Sequence, residues 1–198
     1  MPPLPYRAVL LTGRPGVGKT TVIRELASRL GDQGPAKPLI AGFYTEEIRE
    51  RGRRVGFRAV TFAGAETVIA HVDFDSSRRV AKYGVDVRAI DDLAAATLDL
   101  RPDVDLYLID EIGKMECLSE RFVDAVRRLF DASPWIVATV ARSGSGLIAE
   151  VKHRPGVIRR EVTQANRDSL ARKMAPWLAE RLRRAELIGG DARNRTGE

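Results

Sequence analysis

Cysteine is almost absent: Cys117 stands alone among 198 residues. One thiol excludes an internal disulfide and fits a reducing compartment. Histidine is nearly as scarce, and His71 and His153 have no metal-ligand spacing. No apolar run approaches the ~20 residues of a membrane span. The start, Met1-Pro2-Pro3-Leu4-Pro5, lacks the basic-then-apolar pattern of a signal peptide. A cytoplasmic protein without a membrane partner is therefore expected. Lysine is rare too, with 6 residues against 27 arginines. The net charge of +6 and calculated pI of 9.8 allow a nucleic-acid partner, or simply attraction for polyanionic nucleotides. The arginines are spread along the chain and several alternate with acids. No basic stripe is interleaved with aromatics, so a solvated arginine surface is favoured over a nucleic-acid groove.

What remains is an ordinary globular composition, 44% hydrophobic and 30% charged. One domain over residues 1–187 is expected, followed by a disordered tail at 188–198. Strands are expected at 7–12, Ile40–Ile48, Val55–Phe62, Tyr83–Val87, Leu106–Ile109, Trp135–Val140 and Val157–Val162, with Thr67–His71 a further candidate. Helices are expected at 19–30, Ala89–Leu98, Ser119–Phe130, Leu147–His153 and Asn166–Leu187, the last interrupted or bent near Pro176. Gly31 to Pro38 reads as a loop and 72–82 as irregular. The alternation predicts a three-layer α/β domain with a mainly parallel central sheet. Residues 40–71 add an antiparallel β-meander to it. Ligands of such sheets sit beyond the carboxyl ends of the strands.

The chemistry starts at Gly13-Arg14-Pro15-Gly16-Val17-Gly18-Lys19-Thr20, which fits GxxxxGK[ST]. Residue frequencies give about a 0.4% chance of an accidental match in a chain of this composition. An apolar strand before it and a helix after it supply the required context. Glycines let backbone N–H groups turn inward, and the helix N-terminus adds its positive dipole end. Lys19 reaches the β- and γ-phosphates, and the Thr20 hydroxyl suits Mg²⁺. Residues 13–21, Thr21 included, form the predicted nucleotide-binding loop.

The second half of the site is Leu106-Tyr107-Leu108-Ile109-Asp110-Glu111, an apolar strand delivering two acids. Asp110 is expected to hold Mg²⁺ with Thr20, and to join the nucleotide-binding set. Glu111 is placed to orient or deprotonate water. Asp110-Glu111-Ile112-Gly113 also fits DxxG, a γ-phosphate sensor of guanine-nucleotide switches. Their guanine-reading N/T-K-x-D is missing, and Asn166-Arg167-Asp168 has the wrong spacing, so a catalytic Glu111 is favoured. Lys114 is a candidate cation for the transferring phosphoryl group. Thr139 is a candidate polar sensor. Arg142, Arg154, Arg160 and Arg167 are possible phosphate contacts among which periodicity does not choose.

Together these segments resemble a known family. The loop through Thr21, Gly42-Phe43-Tyr44-Thr45-Glu46-Glu47-Ile48-Arg49 with Arg53-Arg54-Val55-Gly56-Phe57, and Lys82-Tyr83-Gly84-Val85-Asp86-Val87 occur in order. Asp110-Glu111-Ile112-Gly113-Lys114-Met115-Glu116 and Val162-Thr163 with Asn166-Arg167-Asp168 complete the series. The chain is similar to the THEP1-type nucleoside-triphosphatases over about residues 7–187. The resemblance implies a RecA-like P-loop fold, with Glu111 on the catalytic side. It implies Mg²⁺-dependent hydrolysis of nucleoside 5′-triphosphates (ATP, GTP, CTP, UTP or TTP) to diphosphates. The family often carries Pro where this chain has Arg14, which adds a cation to the loop. Two alternatives remain at this point. One is a nucleotide, small-molecule or polynucleotide kinase with its acceptor over residues 40–71. The other is a nucleic-acid-stimulated ATPase.

Overall fold

The computed structural model describes residues 7–32, 34 and 37–193, the last eight as backbone only. The expected starting segment 1–5 and part of the 31–38 loop lie outside the described residues. So does the end of the expected tail, 194–198.

Among the described residues nine strands form one sheet: β1 (Ala8–Thr12), β2 (Ile40–Glu50), β3 (Arg53–Thr61), β4 (Glu66–His71), β5 (Arg79–Val80), β6 (Tyr83–Val85), β7 (Leu106–Ile112), β8 (Trp135–Val140) and β9 (Val157–Glu161). Among the described residues five α-helices accompany them: α1 (Lys19–Gly31), α2 (Val87–Thr97), α3 (Glu120–Ala132), α4 (Leu147–His153) and α5 (Arg167–Arg193). The spatial order is β5-β6-β4-β3-β2-β7-β8-β1-β9. From β2 to β9 every neighbouring pair is parallel, and from β2 to β5 every pair is antiparallel. Strand β2 joins the two halves. Ile40–Phe43 pairs with β7, and Phe43–Glu50 with β3.

Alternation along the parallel strands explains the three layers. Val9, Leu11, Leu106, Leu108, Trp135 and Val137 face one way, onto α1 and α5. Ala8, Leu10, Tyr107, Ile109, Ile136 and Ala138 face the other way, onto the layer that holds α2, α3 and α4. Val22, Ile23, Leu26 and Leu30 make the buried stripe of α1. Leu26 is wholly buried, and burying such a side chain stabilises by roughly 1.5–3 kcal/mol. Trp135 meets Trp177 edge to face at 5.9 Å, tying α5 to the sheet. Ser119 caps α3 by accepting the Phe122 N–H at 2.9 Å, and Asp86 caps α2 through Ala89.

Three expectations need correction. Helix α5 is not interrupted at Pro176 but runs to Arg193, so residues 188–193, expected in the tail, are helical. A proline removes one intrahelical hydrogen bond, and packing of Ala171, Ala175, Leu178 and Ala179 holds the helix across that gap. Strand β7 does not stop at Ile109. It continues through both acids to Ile112, with its register to β8 breaking after Ile109 and a cis peptide between Asp110 and Glu111. The stretch 72–82 contains the two-residue strand β5, too short to leave a periodic signal. No helix of the described residues is long and apolar enough to cross a membrane.

Candidate active site

Strand β8 lies between β1, which feeds the glycine loop, and β7, which carries the acids. The loop and the acids therefore meet across the end of β8. Gly18 closes the loop with φ of 108°, a left-handed backbone that costs any L side chain. Lys19 and Thr20 then open α1.

Two consecutive loop residues meet two consecutive acids. Thr20 Oγ1 donates to Asp110 Oδ2 at 2.6 Å. Lys19 Nζ lies 3.5 Å from Glu111 Oε2. Asp110 is the hub. Thr139 Oγ1, on β8, donates to its Oδ1 at 2.5 Å. Thr45, on β2, approaches its Oδ2 through the backbone N–H at 3.4 Å and through the hydroxyl at 3.5 Å. Asp110 is 1% exposed, and burial pushes its carboxyl up from the usual carboxylate range. The three threonines and the Lys19 charge work against that rise. Glu111 is also pushed up, first by burial and then by the Asp110 charge, while Lys19 and Lys152 pull it down.

The predicted residues divide clearly. Lys19, Thr20, Asp110, Glu111 and Thr139 are brought together. Lys114 is not brought to Glu111 by an ion pair. It is exposed and lines a neighbouring cleft of about 500 Å³ with Cys117, Arg127 and the 144–148 turn. The second cation whose charge reaches Glu111 is Lys152 of α4. Its amine donates to the carbonyls of Ala141 at 2.6 Å and Arg142 at 3.0 Å, just beyond β8. Arg14 is exposed, as are Pro15, Gly16 and Thr21. Among the four undecided arginines, Arg167 lies against the loop. Its Nη1 donates to the Val17 carbonyl at 3.4 Å, and its Cδ packs beside Gly18. Arg154 is bound instead to Asp131 and Glu150.

Thr45, Lys152 and the choice of Arg167 escaped sequence reasoning. Thr45 sits inside the Gly42–Arg49 signature and Lys152 is one of six lysines, so both carried a weak signal. The arginine surface is laced with acids, as in Arg24–Glu46–Arg58–Glu66 and Arg49–Glu47–Arg54.

With this geometry in hand, the likeness to known proteins is informative. A family model described as NTPase matches residues 8–175. The chain belongs to this nucleoside-triphosphatase family. It is 41% identical over 168 residues to "Nucleoside-triphosphatase THEP1" of Thermotoga petrophila, covering 84% of this chain and 89% of that one. It is 36% identical over 178 residues to the human "Cancer-related nucleoside-triphosphatase", covering 83% and 92%. The crystal structure of THEP1 from Aquifex aeolicus superimposes with a TM-score of 0.74 at 35% identity, covering 86% of this chain and 98% of that one. The P-loop α/β architecture of the THEP1 type is thus shared by sequence and by fold.

Proposed function

We propose that this THEP1-type chain hydrolyses nucleoside 5′-triphosphates to the diphosphate and phosphate, with Glu111 activating the water. The observation that carries the reading is the double pairing of Lys19 with Glu111 and Thr20 with Asp110. The phosphate-gripping loop and the acids are built into one cluster. The Thermotoga petrophila and human relatives are named nucleoside-triphosphatases, which favours hydrolysis over transfer or a nucleic-acid-stimulated reaction.

Backbone N–H groups of residues 16–20 and the Lys19 amine hold the β- and γ-phosphates. Arg14 and Arg167 flank the same loop and add positive charge. When Lys19 turns to a triphosphate, Glu111 loses the stronger of the two cations that lower its pKa. Its basicity then rises as substrate arrives. Water attacks the γ-phosphorus, its proton goes to Glu111, and the bond to the β–γ bridging oxygen breaks. Thr139 keeps Asp110 fixed beside this centre.

The site's oxygen donors fit Mg²⁺. That ion takes one or two carboxylates plus phosphates and waters, and the Thr20 hydroxyl and Asp110 carboxylate converge in this way. Held by Thr20 and Asp110, Mg²⁺ would supply charge neutralisation to the phosphate oxygens. Nothing in the cluster reads a base, so ATP, GTP, CTP and UTP are all substrates in this account. Lys114, which lines the neighbouring cleft, is retained as the candidate cation for the transferring phosphoryl group.

A colorimetric phosphate assay across the four triphosphates, with no acceptor present, tests this reading. Release from all four, lost in Lys19→Ala, is the expected result. Release that requires an added nucleoside, nucleotide or RNA end would assign a transferase instead.

A further inference from the structure

Beyond β7 the chain turns through Gly113 into a short 3-10 turn, Glu116–Leu118. Its first residue carries a carboxyl that neither the phosphate grip nor the water activation uses. Glu116 is 5% exposed. Among the described residues it has no ion-pair partner, which is costly for a buried acid. Its side chain turns back toward the active-site strand. A Cβ built on Gly113 would lie 2.7 Å from Glu116 Oε2, 3.2 Å from Glu111 Oε1 and 3.1 Å from Glu111 Cγ. The two carboxyls thus border the space of one missing methyl group. Glycine at 113 is what lets them converge.

We propose that Glu116 is a positioning residue for Glu111: its buried carboxyl, reaching into the gap left by Gly113, fixes the orientation in which Glu111 meets the attacking water. The inference rests on the reading of Glu111 as the water-activating carboxylate. A carboxyl beside another carboxylate supports it only as a proton donor. Burial, with the Glu111 and Asp110 charges adding to it and the backbone N–H groups of Glu116 and Gly113 working against it, pushes Glu116 up to about 8. It is then neutral at pH 7 and can donate toward Glu111. Above pH 8 it ionises, and repulsion between the two carboxylates turns Glu111 away.

The surrounding charges leave Glu116 as the group that titrates. Lys19 of α1 and Lys152 of α4 face Glu111, and Asp110 stands beside it on β7. Cys117 next to Glu116 has its thiol pushed up to about 12 by burial, so it stays neutral over the relevant range. Asp91 of α2 accepts the Ser119 hydroxyl at 2.5 Å, and Arg127 of α3 is paired with Asp124 and Glu150.

The experiment compares Glu116→Gln, Glu116→Ala, Gly113→Ala and Glu111→Gln in steady-state ATP hydrolysis from pH 6 to 10. Fluorescent-nucleotide binding serves as the check on folding. Glu116→Ala should lower kcat roughly ten- to a hundredfold with KM nearly unchanged, the scale of a misplaced reactive group. Glu116→Gln keeps a neutral donor of the same shape. It should restore kcat to within about threefold of wild type at pH 7, by the modest cost of swapping one neutral donor for another. It should also abolish the wild-type fall in kcat above about pH 8. Gly113→Ala, which pushes Glu116 away, should lose kcat like Glu116→Ala. Full kcat in Glu116→Ala, or an alkaline fall that survives in Glu116→Gln, would overturn the inference while leaving Glu111 in place. Full kcat in Glu111→Gln would instead remove the reading beneath it.

Discussion

Replacing Thr139 by valine removes one hydroxyl and almost nothing else. Thr139 is wholly buried between β1 and β7, and its hydroxyl donates to the 1%-exposed Asp110 at 2.5 Å. A hydrogen bond to a charged group contributes about 1.5–3 kcal/mol. The carboxylate keeps Thr20 at 2.6 Å, so part of its solvation survives and about 2 kcal/mol is the expected cost. Burial has already raised the Asp110 pKa, and Thr139 opposes that rise. Without the hydroxyl the pKa climbs further. The extra cost is therefore present above the folded-state pKa and fades as falling pH protonates Asp110. The assay is urea unfolding of the nucleotide-free protein at pH 8 and pH 4. Thr139→Val should cost about 2 kcal/mol at pH 8, or roughly 4–8 °C in Tm, and less at pH 4. A cost under about 0.5 kcal/mol at pH 8, or a larger cost at pH 4, would refute Asp110 as an ionised hub held by this hydroxyl.

Other outcomes follow from the same geometry. Lys19→Ala should weaken fluorescent-triphosphate binding by more than about tenfold and end turnover, because it removes the grip on the phosphates. Gly18→Ala places a side chain at φ 108° and 3.2 Å from Arg167 Cδ; a loss of about 1–2 kcal/mol in thermal unfolding is expected. Arg14→Ala should raise KM at low salt with kcat unchanged, and the difference should vanish near 0.5 M salt, where exposed charges are screened. Glu116 binds its proton more tightly folded than unfolded. Its contribution to stability is full below the ordinary glutamate range and is lost as pH rises through about 8. Denaturant midpoints from pH 5 to 9 should fall in wild type and stay flatter in Glu116→Gln.

The parallel half of the fold was legible because its strands are short apolar runs between well-signalled helices. Strand β8 and helix α4 lie where periodicity puts them, and the capping serine of α3 marks that helix's start. The loop and the two acids were legible because their chemistry fixes residue type at fixed spacing. Thr45 was hidden because its role depends on β2 pairing with β7, a contact 65 residues apart in sequence. Lys152 was hidden for a similar reason: helix α4 folds back and aims its amine at the carbonyls beyond β8. Spacing alone suggested Lys114, three residues from Glu111, but the turn after Gly113 carries it to another cleft. Pro176 suggested an interruption or a bend because local propensity is all that sequence shows there, and the interruption does not occur. The packing that carries α5 onward is tertiary.

Turnover by the proposed route depends on Glu111 as the group that activates water. Single-turnover hydrolysis by Glu111→Gln, with enzyme in excess over radiolabelled ATP, tests this most directly. Glutamine keeps the shape and cannot take the proton. The predicted result is undiminished ATP binding with phosphate release slowed by at least a hundredfold, the scale of losing a general base. Phosphate release at the wild-type rate, with binding intact, would contradict the account.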